Sequence, residues 1–65
     1  MNVSLYAEIT GKIDSRKLYS EIKDYDVNVT DLGIKTLIYG EVSLKVALII
    51  IDAASEYGKV QATIN

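Results

Sequence analysis

Tyr6 falls in a stretch where apolar and polar residues alternate, and Leu37 and Tyr39 fall in a second strand-like stretch. Aromatic rings held on a strand offer flat apolar faces with a hydroxyl at one end, suited to stacking on a base or to burial against another protein. A second group, Gly11, Lys12, Arg16 and Lys17, puts a glycine and three cations around an expected helix start. Cations beside the unpaired N–H groups of a helix start are the chemistry of an anion site, for phosphate or carboxylate. Asp14 opposes it, because its carboxylate caps the same N–H groups and repels an anion, each effect being worth about 1 kcal/mol. The bland alternative for these cations is a solvated charged face. Asp24, Asp26 and Asp31 are too few and too irregularly spaced for a calcium loop. Histidine and cysteine are absent. The chain therefore has no thiolate, no disulfide, no usual zinc, iron or copper ligand, and no histidine-based triad. No metal, no cofactor and no catalysis are expected.

The elements that must position these residues follow from periodicity. Residues 3 to 9 alternate, with Val3, Leu5, Ala7 and Ile9 on one side and Ser4, Tyr6 and Glu8 on the other, which predicts a half-buried strand. Thr10-Gly11-Lys12 breaks it. Asp14 is a good N-cap, and Leu18, Ile22 and Tyr25 follow at helical spacing opposite Arg16, Lys17, Ser20, Lys23 and Asp24. Residues 26 to 32 predict a second strand with Val27 and Val29 inward. Asp31-Leu32-Gly33 supplies turn chemistry, so residues 34 to 42 return as a third strand, with Ile34, Ile38 and Val42 inward. Ser43 caps a second helix, residues 44 to 57, closed by Gly58 in the left-handed conformation. Its core side holds Ala47, Ile50, Ile51 and Ala54, while Leu48 and Ile49 lie on or beside the polar stripe of Lys45, Asp52 and Glu56. Residues 59 to 65 form the closing strand, with Val60, Ala62 and Ile64 inward. The sequons Asn2-Val3-Ser4 and Asn28-Val29-Thr30 fall inside strands and are expected to be coincidental.

The β-α-β-β-α-β order predicts the α+β, ferredoxin-like arrangement: one antiparallel sheet of spatial order 4-1-3-2 with two helices on one face. Tyr6, Leu37 and Tyr39 then meet on the open face of the two central strands. Three resemblances bear on function. Leu5-Tyr6-Ala7 and Lys35-Thr36-Leu37-Ile38-Tyr39 resemble the two motifs with which RNA-recognition domains stack bases, although Leu37 replaces an aromatic and the longer motif's glycines are missing. That resemblance implies single-strand binding through Tyr6 and Tyr39. Gly11-Lys12-Ile13-Asp14-Ser15-Arg16 resembles the acylphosphatase phosphate loop only in having a glycine before an arginine. The rest of that family's catalytic signature is missing. In topology, over the whole chain, the order resembles the ACT domain, which implies a small-ligand regulatory site at a subunit interface. Thr10-Gly11-Lys12 keeps only the glycine of that family's proline-glycine pair.

At 65 residues the chain is read as a single domain, 1–65, with 49% hydrophobic and 25% charged residues, an ordinary globular composition. A domain this small buries only about 60% of the surface its unfolded chain exposes. The net charge of −2 argues against nucleic acid as a partner. The longest apolar run, Val46 to Ile51, is too short for a bilayer, and the start of the sequence lacks the pattern of a secretory signal, so a cytoplasmic protein with no membrane partner is expected. Small domains seldom leave a contiguous apolar patch uncovered. The expected function is a non-enzymatic interaction or assembly module that forms a homodimer or higher homo-oligomer through the sheet's open face or edge, or takes a protein partner. Tyr6, Leu37, Tyr39, Leu48 and Ile49 are the candidate interface residues. The ACT-like and RNA-recognition-like readings are the alternatives.

Overall fold

Strict alternation carries β1 (Asn2–Thr10) across the sheet, with Leu5, Ala7 and Ile9 buried and Val3 half-buried on its inward side. The computed structural model describes residues 1–65. After β1 come α1 (Ser15–Ile22), a 3-10 turn (Lys23–Tyr25), β2 (Asn28–Asp31), β3 (Lys35–Ser43), α2 (Leu44–Ser55) and β4 (Lys59–Ile64). The strands form one sheet in the order β2-β3-β1-β4, antiparallel throughout. This is the expected order read from the other edge, and the fold is the α+β, ferredoxin-like one. Both helices cover the same side. Leu18 and Ile22 of α1 and Ala47, Ile50 and Ala54 of α2 close a core with Leu5, Ala7, Ile9, Val27, Ile38 and Val42.

Both helix starts are built as their sequences require. The Asp14 carboxylate accepts from the Lys17 N–H at 3.1 Å, and the Ser43 hydroxyl accepts from the Val46 N–H at 3.2 Å. Their ends differ from expectation. Helix α1 tightens after Ile22 into the 3-10 turn that holds Tyr25, and Asp26, at φ 60° and ψ 48°, stops it in the left-handed conformation. Helix α2 ends at Ser55, and Gly58 has no positive φ. Its lack of a side chain serves close approach instead, because a Cβ there would lie 3.0 Å from the Thr10 carbonyl oxygen and 3.3 Å from Ile9 Cγ2. Gly11 is the reverse case, with open space around it and φ at +102°.

One inward assignment changes, and one inward residue is left uncovered. Ile34 lies in the turn before β3, beyond helix cover, and is 78% exposed. The buried residue near that end of β3 is Thr36, whose branched side chain suits a pleated, covered surface. Ala62 points to the helix side, paired with buried Ala7, yet is exposed while Val60 and Ile64 of the same outer strand are half-buried.

Candidate interaction surfaces

The β1–β3 register places Tyr6 directly opposite Tyr39. Asn28 flanks Tyr39 on β2 and Thr63 flanks Tyr6 on β4, so the row across the open face reads Asn28, Tyr39, Tyr6, Thr63. Each tyrosine is 41% exposed. Leu37 is half-buried and lies opposite Glu8. Across the diagonal, Lys35 Nζ donates to Glu8 Oε1 at 3.0 Å. That hydrogen bond, with the charge behind it, raises the Lys35 pKa above the ordinary lysine value. The open face is therefore a tyrosine pair and one leucine bounded by an ion pair on one side and by Glu41 and Ser4 on the other. Of the two carboxylates that share the face with the rings, Glu8 is offset by Lys35, and Glu41 stands without an ion pair and repels phosphate.

Leu48 and Ile49 are also exposed, at 54% and 40%. They are adjacent in sequence but about 100° apart around the helix axis. The buried centre of α2 is Ala47, Ile50 and Ala54. The flank of Val46, Ile49 and Ala53 turns toward α1, the side on which the Tyr57 hydroxyl donates to Glu21 Oε2 of α1 at 2.7 Å. The opposite flank carries Leu44, Leu48 and Ile51 and turns toward β4, the outer strand. Right-handed crossovers place the helix the same way round. The five expected interface residues thus divide among three surfaces: Tyr6, Leu37 and Tyr39 on the open face, Leu48 beside the β4 edge, and Ile49 beside α1.

Around the start of α1, the Gly11 N–H donates to the Ile34 carbonyl at 2.7 Å, tying the β1–α1 loop to the hairpin between β2 and β3. Asp31 is the hub of that corner. Its carboxylate accepts from the Gly33 N–H at 2.7 Å and from the Ser15 hydroxyl at 2.8 Å. These bonds, in that order, together with the Lys12 charge, hold it below the usual carboxylate range. A shallow depression of about 250 Å³ is lined by Ser15, Arg16, Tyr19, Val29 and Asp31. Of Gly11, Lys12, Arg16 and Lys17, only Arg16 lines it, and it shares the space with a carboxylate. Tyr19 on α1 and the hairpin tip Leu32 and Ile34 are further exposed apolar residues that periodicity does not single out as surface. Their signal was an apolar residue breaking a polar run.

No three carboxylates come together as a metal site would need. No helix is long and apolar enough to cross a membrane. No family model, curated protein or solved structure matches this chain.

Proposed function

We propose that this protein is a non-enzymatic assembly module that self-associates, with the homodimer as its basic unit. The observation that carries this reading is where its apolar surface lies. Leu44 and Leu48 stay exposed together on the α2 flank beside the outer strand β4, with Tyr6 and Tyr39 a separate exposed pair on the open face, in a chain whose core is eleven residues. A second copy removes such surface from water at roughly 25 cal/mol per Å². Further support comes from the distribution of acids. The carboxylates are dispersed, and Asp31, the best-organised of them, is engaged by Gly33 and Ser15 and is a weaker base for it. Glu41 beside the tyrosine pair, and the engagement of Lys35 by Glu8, favour a protein over a nucleic acid as the occupant of that face.

Sedimentation velocity over a concentration series tests the reading. A species of twice the chain mass of 7.2 kDa is expected to dominate at high micromolar concentration. A chain that remains monomeric at about 1 mM, where only contacts weaker than roughly 4 kcal/mol escape detection, overturns it.

A further inference from the structure

The two edges of the sheet are unequal. Strand β2 is four residues long and ends in Asp31, and Asp26 lies two residues before its start. Short, charged edge strands are poor templates for further pairing. Strand β4 is six residues long and its sole charge is Lys59, at its start. Its free edge can be read from the ladder on its other side. Ser4 and Asn65 exchange both backbone bonds, the Ser4 N–H to Asn65 O at 2.8 Å and the Asn65 N–H to Ser4 O at 3.0 Å. Antiparallel pairs alternate, so Thr63 and Gln61 also turn their backbone groups toward β1. Val60, Ala62 and Ile64 turn theirs outward, with no strand beyond them.

We propose that β4 pairs with β4 of a second copy, antiparallel about a twofold axis at Ala62, joining two four-stranded sheets into one of eight strands. This rests on the self-associating reading above and names the surface it uses. In that register Ala62 pairs with Ala62 of the second copy, and Val60 with its Ile64. Every outward N–H and C=O of those three residues gains a partner. On the open side Gln61 faces Thr63, and Lys59 faces Asn65, so no like charges oppose one another.

The helix layer fits the same axis. Ala62 lies three residues into β4, about 10 Å from its start. The same distance back along α2 from its end at Ser55 is about seven residues, which sets Leu48 level with Ala62. The twofold axis therefore brings the flank of Leu44, Leu48 and Ile51 toward its own copy, with the α2 helices antiparallel. Lys45 and Asp52 stand three or four residues to either side of Leu48 on the outer rim of this flank. The symmetry places Lys45 of one chain opposite Asp52 of the other, twice. Backbone, apolar flank and rim charges are thus all self-complementary about one axis, which points to a second copy as the occupant.

Two substitutions test it by sedimentation, with circular dichroism to confirm folding. Ala62→Pro removes only an outward N–H, which an edge strand tolerates, and Leu48→Glu alters an exposed side chain. Both are expected to abolish the dimer, while Tyr39→Ser on the open face and Ile49→Lys on the α1 flank leave it intact. The amide protons of Val60, Ala62 and Ile64 are expected to exchange more slowly as concentration rises. A dimer that survives Ala62→Pro and Leu48→Glu, or outward amides that exchange fast in it, overturns the β4 interface while leaving self-association standing. A wild-type chain that is monomeric removes both.

Discussion

The hydroxyl of Tyr57 is the clearest case of one side chain joining the two helices. It donates to Glu21 at 2.7 Å while its ring packs half-buried beside the core. Burial, that hydrogen bond, and the charges of Glu21, Asp14 and Glu56 all disfavour the phenolate and push its pKa above the ordinary tyrosine value, up to about 12. The unfolded chain therefore releases this proton first. Its contribution to stability is whole below pH 10 and is lost as pH rises toward 12. Ultraviolet titration of the tyrosines is expected to show a late phenolate component that Tyr57→Phe removes, and the variant should lose stability less steeply over that window. An unchanged profile in the variant would show that Tyr57 is not the late group. Position 57 reads from sequence only as the end of a helix. Glu21 lies 36 residues away, and only the packing of α1 against α2 brings the two together.

At the scale of elements, the junction of α2 with β4 shows what periodicity conveys and what it omits. Four strand-like and two helical segments, two good N-caps and a glycine-bearing hairpin specify the element order, and right-handed crossovers then specify the sheet. Periodicity says nothing about neighbours. Ile34 shares the parity of Ile38 but sits in the turn before β3, and Ala62 shares the strand and parity of Val60 and Ile64 but stays exposed where they are half-buried. Leu48 and Ile49 both stand out as exposed aliphatics, yet the flank each occupies depends on where α1 packs. Gly58 looked like a left-handed cap because glycine after a helix usually is one, whereas here the constraint is the Thr10 carbonyl opposite it. That difference is measurable. Gly58→Ala forces a methyl to 3.0 Å from backbone, an overpacking expected to cost about 1–3 kcal/mol in a denaturant melt. A cost within a few tenths of a kcal/mol would show that β1 and the junction can separate freely.

For the molecule as a whole, size makes assembly and stability one question. The chain exposes 4338 Å², so a standard interface of about 800 Å² per partner would cover nearly a fifth of it. A domain with an eleven-residue core has a narrow margin of its own. A partner bound only by the folded state adds to that margin by mass action. The melting temperature of the wild-type chain is therefore expected to rise with its own concentration, by about 5 °C for each tenfold step while the dimer dominates, given about 0.7 kcal/mol of unfolding enthalpy per residue. The Ala62→Pro variant should melt at one temperature whatever its concentration, because its folded monomer keeps every bond that β4 makes to β1. The two curves should converge at high dilution, where the wild-type chain is monomeric too. A wild-type melting point that does not move with concentration would mean that folding draws nothing from a second copy. A variant that melts far below the dilute wild type would instead mean that proline has damaged the strand itself, and the exposed helix substitution Leu48→Glu then carries the comparison.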